Sequence, residues 1–338
     1  ESLLLVSNLF MPTPKQGRKM KLSTFSAFAA VVTVAVPTAV LVPPAVATSP
    51  SQEHGYVAES YTIEVLKTPD TSAGSSALGI NDSGDVVGVN RPGTTARPQF
   101  TVLWERHGDH FHAHQLANLA GSDFSRGFAI NKDQMIVGEA FNDAGNSVGV
   151  RWLGDQAPTH ITSLSETGLG VLNDVNDTGT AVGTAASHAV RLTADDTVEL
   201  LTSPVLPVAG SVLLNSGAKA ISKAGDIAGS ARVNVPHNDH FHAQSYAAIW
   251  RIGTDGKLLA VPPPAKSPSV TKFTDEGEVL GSATINGLQA AIHWDAQDEP
   301  SVLPAPTIAD YTHTAATAGA DDVVVGYASK FAANTSFG

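Results

Sequence analysis

The chain has 338 residues and a formal net charge of −12, with 32 acidic residues against 20 basic ones and no cysteine. An acidic surface argues against nucleic acid and anionic membranes as partners, because both carry negative charge themselves. Without cysteine there are no disulfides and no cysteine-ligated metal sites, so stability has to come from packing. The length is ample for one large domain with its own hydrophobic core.

The N-terminal segment is predicted to be a targeting signal and not part of the fold. A basic region at residues 15–21 precedes a mostly apolar stretch at 22–42, and residues 45–47 read Ala-Val-Ala, an A-x-A cleavage pattern. We expect residues 1–47 to be a signal peptide with upstream residues and 48–60 to be a linker. A transmembrane anchor is the competing interpretation. The mature protein is then secreted, periplasmic or at the cell surface, a monomer without a membrane span.

A nine-residue phrase dominates the rest of the chain. Its first copy reads Ile-Asn-Asp-Ser-Gly-Asp-Val-Val-Gly, and six copies follow one another at spacings of 45–52 residues, a period typical of β-propeller blades. In each copy Asn, Asp and Gly favour a tight turn between two short apolar strands. The copies begin at Ile80, Ile130, Val175, Ile221, Phe273 and Ala318.

Each repeat is predicted to form four short strands. In the first repeat these are residues 77–80, 85–89, 100–104 and 111–116. The third strand usually ends in a tryptophan, with a leucine in the third repeat, which favours packing between neighbouring blades. Such blades bury both faces only by stacking, so we expect an all-β fold, a β-propeller of about six four-stranded blades. The later third strands are expected at 148–152, 188–192, 246–250 and 290–294.

The ring is expected to close through the N-terminal strand. Residues 61–66 resemble a fourth strand without the other three, while the sixth repeat, 314–328, supplies a first and a second strand. The propeller domain is therefore expected to span residues 61–338, with its last blade apparently truncated and completed by the N-terminal strand.

These repeats resemble the HAF-repeat family of bacterial extracellular proteins. The run Tyr61-Thr62-Ile63, the segment 77–88 and Val102-Leu103-Trp104 are similar to that family's pattern of I-N-x-x-G-x-V-V-G followed by an A-F-L-W strand. The resemblance covers residues 61–338 and implies secretion and a propeller-like fold. It implies no catalytic mechanism. The asparagine of the phrase is replaced at Ser222, Thr274 and Gly319, and Gln134 stands where glycine is usual, which puts the local turn geometry in question.

Two histidine clusters are the sharpest candidates for chemistry. One lies at residues 107–114, in the turn and fourth strand of the first repeat, and the other at 237–242, in the loop between the second and third strands of the fourth repeat. Alternate residues of a strand share a face, and imidazole suits Zn²⁺ or Cu²⁺. The two positions predict opposite faces of the ring, so a site shared by both is not expected. An exposed histidine-rich edge is the alternative. The candidate ligands are His110, His112, His114, His237, Asp239, His240 and His242.

The sequence favours a secreted binding or scaffold module for an extracellular glycan or protein, such as a polysaccharide or a cell-envelope protein. The alternative is a propeller-type secreted enzyme, a metal-assisted hydrolase or lyase, and a third class is a surface structural protein. The pattern G-x-S-x-G at Gly145–Gly149 needs a strand–turn–helix elbow, whereas Ser147 is expected to open a strand. Beyond a divalent metal at the histidines, no cofactor is implied.

Overall fold

The computed structural model describes residues 65–69, 74–92, 98–161, 170–238, 240–304, 313–320 and 323–329. These residues form 22 β-strands and no helix. No helix among them is therefore long or apolar enough to cross a lipid bilayer.

The strands form five four-stranded antiparallel sheets and one two-stranded sheet, each built from strands that are consecutive in sequence. Blade 1 contains β1 (Gly74–Ile80), β2 (Val86–Arg91), β3 (Phe100–His107) and β4 (His110–Gln115). Blade 2 contains β5 (Ser125–Ile130), β6 (Met135–Phe141), β7 (Ser147–Leu153) and β8 (Thr159–His160). Blade 3 contains β9 (Gly170–Val175), β10 (Ala181–Ala185), β11 (His188–Leu192) and β12 (Val198–Leu200). Blade 4 contains β13 (Val212–Ile221), β14 (Ile227–His237), β15 (His240–Trp250) and β16 (Lys257–Leu258). Blade 5 contains β17 (Lys266–Phe273), β18 (Val279–Ile285), β19 (Leu288–Trp294) and β20 (Pro300–Val302), and the last sheet contains β21 (His313–Ala320) and β22 (Val323–Ser329).

The sheets are arranged in a ring, so the predicted β-propeller is confirmed. The first strands of successive blades contact one another and thereby surround the axis. Across the ring, the Lys223 ammonium of blade 4 lies 3.5 Å from Asp82 of blade 1 and 3.0 Å from Asp275 of blade 5. Five blades are complete, against about six predicted. The sixth repeat supplies only β21 and β22 among the described residues, and residues 330–338 lie outside them.

The N-terminal segment takes the place that, in other blades, is filled by the residues just after the fourth strand of the preceding blade. In blades 2, 4 and 5 the tryptophan indole N–H of the third strand donates to a carbonyl just after the preceding blade's fourth strand, as Trp152 does to Ala117 at 3.0 Å. In blade 1 Trp104 donates in the same way to Lys67, at 2.6 Å, and Leu66 packs beside it. Val65–Pro69 is not a strand, and residues 61–64 of the predicted strand lie outside the described residues.

The asparagine of the repeated phrase links each turn to the next blade. Its Oδ1 accepts two backbone N–H groups of its own turn, as Asn131 does from Asp133 (3.1 Å) and Met135 (2.9 Å). Its Nδ2 donates to the carbonyl of the equivalent residue in the following blade. Asn81 reaches Asn131 at 3.0 Å, Asn131 reaches Asn176 at 3.1 Å, and Asn176 reaches Ser222 at 3.4 Å. One buried side chain therefore fixes both the turn and the contact between blades.

Gln134 keeps the turn geometry that glycine provides in other copies. Its φ is 57°, against 87° for Gly84, and its N–H donates to the Asn131 carbonyl at 3.1 Å as in the other turns. A left-handed backbone is costly for a residue with a Cβ. The side chain offsets this cost, because Nε2 donates to Asp85 and Glu105 of blade 1, both at 3.0 Å.

The final glycine of the phrase is required by a β-bulge. In every first strand the residue opposite the step that contains this glycine has no partner, as Phe128 has none between Gly127 and Ala129. The bulge brings a first-strand carbonyl against the glycine. A Cβ on Gly138 would lie 1.8 Å from the Arg126 oxygen, and one on Gly88 would lie 2.0 Å from the Ser76 oxygen. The other bulged residues are Leu78, Asn173, Lys219, Thr271 and Thr317.

Substitution of Asn131 tests the link between blades. In Asn131→Ser the hydroxyl still accepts from the turn, as Ser222 does in blade 4, but the donor to the Asn176 carbonyl is lost. We expect a loss of about 0.5–1.5 kcal/mol in the free energy of unfolding, because one buried hydrogen bond is lost while the Asn176 carbonyl keeps the Gly179 N–H at 3.0 Å. Urea unfolding measures this loss, provided that the m value, the slope of the unfolding free energy against urea concentration, is unchanged.

Asn142→Ser is the matched control. Asn142 accepts the same two turn N–H groups, from Ala144 and Asn146, but its described hydrogen bonds all lie within its own turn. Equal losses for the two variants would show that the donor to the next blade contributes nothing.

Candidate functional site

The first histidine cluster lies on one edge of blade 1. His110, His112 and His114 alternate along β4 and are all exposed, as the sequence predicts. His107 of β3 pairs directly with His110 across the strands. Ring centroids are 4.9 Å apart for His107 and His112 and 5.3 Å apart for His110 and His112.

Glu105 organises these rings. Its carboxylate lies 3.2 Å from Nε2 of His107 and 3.6 Å from Nε2 of His114. The pKa of Glu105 is lowered, most by a hydrogen bond from Gln134 and next by one from His107. No three His, Asp or Glu side chains within the described ranges are placed to hold one metal ion, so a metal site here stays a prediction.

The second histidine cluster forms the tip of an extension of blade 4. The predicted loop at 237–242 is wrong in form, because β14 continues to His237 and β15 begins at His240. Only Asn238 and Asp239 separate the strands, and Asp239 lies outside the described residues. β14 and β15 have 11 residues each, against 7 for β6 and β7 of blade 2. At about 3.3 Å per residue, the four added residues of each strand project about 13 Å beyond the ring.

This extension and the first cluster lie on opposite faces of the ring. The extension is a turn between second and third strands, whereas His107 and His110 flank a turn between third and fourth strands. The two turns lie at opposite ends of the third strand. A site built from both clusters is therefore excluded by the topology.

One face of the extension carries a row of aromatic and polar side chains. Direct pairing places His237 beside His240, Val235 beside His242 and Val233 beside Gln244. The rings of His237 and His242 are 5.6 Å apart, and the Tyr246 hydroxyl donates to Gln244 Oε1 at 2.7 Å. Val233 and Val235 of this face pack in a cluster with Val182 and Ala189 of blade 3, so the row overhangs blade 3. We call it the blade 4 row: His237, His240, His242, Gln244 and Tyr246.

A pocket of about 370 Å³ lies next to the blade 4 row on the same face of the ring. Blades 2 and 3 form it, with Glu139, Ser147, Thr184 and Ser187 among its lining residues. Ser147 opens β7, as expected, and among the described residues its hydroxyl donates to a carboxylate, Glu139 Oε2, at 2.8 Å and not to a histidine. The backbone N–H of Ser216 in β13 donates to the Ser187 carbonyl at 2.9 Å. A hydrogen bond therefore links the lining of the pocket to the first strand of blade 4.

A cluster of charges at the axis was not predicted from the sequence. Lys272 of β17 reaches Asp174 of β9, with Nζ 2.7 Å from Oδ1, although blade 4 lies between their blades. Lys219, the bulged residue of β13, lies beside this pair. Burial lowers the pKa of Lys219. The negative charge of Asp174 opposes this shift, and the positive charge of Lys272 adds to it. The sequence offers one signal for this cluster. Charged residues stand in first strands at positions that are apolar in other repeats, and Lys219 corresponds to Leu78 and Phe128.

Comparison with protein-family models and with curated proteins finds no match to this chain. The resemblance to HAF repeats therefore stays a prediction.

The shift at Lys219 has a consequence for stability. Its pKa is lower in the folded protein than the ordinary value of 10.5, so the unfolded chain holds the proton more tightly. The charged lysine therefore destabilises the fold at neutral pH, and this penalty disappears as the pH rises towards 10.5. We expect Lys219→Met to raise the melting temperature at pH 7, with a smaller gain at pH 10.

The control is Lys266→Met, at the exposed start of β17, which should change the melting temperature little at either pH. A Lys219→Met protein that melts lower than the wild type at pH 7 would contradict the unfavourable placement of this charge.

Proposed function

We propose that the protein is a secreted binding module that recognises a neutral or cationic glycan on the face formed by the blade 4 row and the adjoining pocket. The observation that carries this proposal is the extension of blade 4 beside the pocket. Insertions in one repeat of a repeat protein usually mark its binding face. Among the described residues, blade 4 is the one complete blade with 11-residue strands.

The side chains of this face suit a ligand rich in hydroxyl groups. Sugars offer hydroxyls for hydrogen bonds and apolar ring faces for stacking on aromatic side chains. The pocket supplies the hydroxyls of Ser147, Thr184 and Ser187, and the blade 4 row supplies Gln244, Tyr246 and three imidazoles. A volume of about 370 Å³ lies within the range of small-molecule pockets. The pocket can therefore hold one sugar unit while the row contacts the next units of a chain.

Charge favours neutral or cationic chains. Glu139 is the charged lining residue of the pocket, and the nearest guanidinium, that of Arg126, lies 3.6 Å from its Oε1. The whole chain is also acidic. A polyanionic glycan would meet no excess positive charge in the pocket and would be repelled by the net charge of the chain.

Affinity electrophoresis of the protein expressed from residue 48 onward tests this function. We expect retardation in gels that contain xylan, which is neutral, or chitosan, which is cationic, and none with polygalacturonate. His242→Ala should weaken the binding about tenfold, which corresponds to about 1.4 kcal/mol.

His112→Ala is the matched control, because His112 is also an exposed strand histidine but lies on the opposite face. Equal weakening by both variants, or no retardation by either neutral or cationic glycan, would contradict the proposed face. Release of shorter oligosaccharides during the assay would favour the enzyme alternative.

A further inference from the structure

The axis of the ring contains a second group of polar side chains, separate from the proposed glycan face. It lies near the turns of the repeated phrase, which join first and second strands, whereas the pocket and the extension lie at the other end of the strands. Its members come from the first strands of blades 3, 4 and 5, namely Asp174, Lys219 and Lys272.

Both carboxylate oxygens of Asp174 accept from protein groups. Its side chain is only 3% exposed, its Oδ1 contacts the Lys272 ammonium, and its Oδ2 accepts the backbone N–H of Ile221 at 3.0 Å. Because blade 4 separates β9 from β17, the contact between Asp174 and Lys272 has to pass along the axis side of β13. The bulge of β13 places Lys219 at this point.

Lys219 has no such partner. In the described part of the chain its ammonium forms neither an ion pair nor a hydrogen bond, while Asp174 is already bonded to Lys272 and Ile221. Its side chain is nevertheless accessible to solvent. Two ammonium groups thus face one carboxylate, and the group carries one excess positive charge inside a ring of protein.

We propose that Lys219, together with Lys272, binds the carboxylate or phosphate group of a small ligand at the axis of the propeller. One added negative charge would balance the group, and Lys219 would gain the partner that it lacks. A lysine ammonium offers three hydrogen-bond donors, of which an anionic oxygen can take one or more. The lowered pKa of Lys219 agrees with this proposal, since burial disfavours its charged form and the charge of Asp174 offsets this effect only in part.

The site is independent of the proposed glycan binding. It involves none of the residues of the pocket or the blade 4 row, and its test uses no glycan. Either proposal can therefore fail without the other.

Thermal unfolding with added anions tests the site. The melting temperature of the mature protein is measured at pH 7 and constant ionic strength while sodium acetate or sodium phosphate replaces sodium chloride. A ligand that binds only the folded state raises the melting temperature with saturation. We expect a saturable rise with at least one of the two anions, and the better one identifies the carboxylate or the phosphate as the preferred group.

Three variants make the result specific. Lys219→Met should abolish the saturable rise, Lys219→Arg should retain it because the charge is kept, and Lys266→Met should respond like the wild type. No saturable rise with either anion in the wild type, or an equal rise in Lys219→Met, would overturn the proposal. Should Lys219→Met fail to fold, loss of the response in Lys219→Gln with retention in Lys219→Arg decides in its favour, and an unchanged response in Lys219→Gln decides against it.

Discussion

The fold depends on a single side-chain amide that is used twice. The asparagine of each phrase closes its own turn through Oδ1 and binds the next blade through Nδ2, so the turns around the axis are bonded to one another and not only packed. Where Ser222 and Thr274 replace it, the hydroxyl still accepts from the turn, as Thr274 does from Glu278. At blade 4, where Ser222 lacks the amide, a charged group makes the link to the next blade. Arg251 of blade 4 donates to the Gly277 carbonyl at 3.1 Å and to Asp298 at 2.6 Å in blade 5.

A second set of bonds holds the outer part of the ring. Each tryptophan of a third strand buries a large apolar surface against the preceding blade and satisfies its indole N–H on a carbonyl of that blade. In blade 3 Leu192 keeps the packing without the hydrogen bond. The bond from Trp104 to Lys67 is the same contact made by the N-terminal segment. The start of the domain is therefore held in place by the same interaction that joins complete blades.

The sequence predicted those parts of the structure that recur in every repeat. The turns, the strand order and the role of the tryptophans could be read from it because six copies average out local variation. Two features could not. The strands around His237 and His240 look like a loop because polar and histidine-rich segments have weak strand propensity, and pairing between β14 and β15 overrides it. The contact between Asp174 and Lys272 joins residues 98 positions apart, and only the ring geometry brings them together.

Departures from the repeat are concentrated in blades 3 to 5, and this distribution bears on function. A ring of equivalent blades gives no structural reason for one sector to differ. Yet this sector contains the missing tryptophan at Leu192, the extended strands of blade 4 and a lysine whose charge is unfavourably placed. Residues that lower stability are retained where they serve another purpose. That sector contains the charged group at the axis, the blade 4 row and the blade 3 side of the pocket, so both proposed ligand-binding surfaces involve it, one at each end of blade 4's long strands.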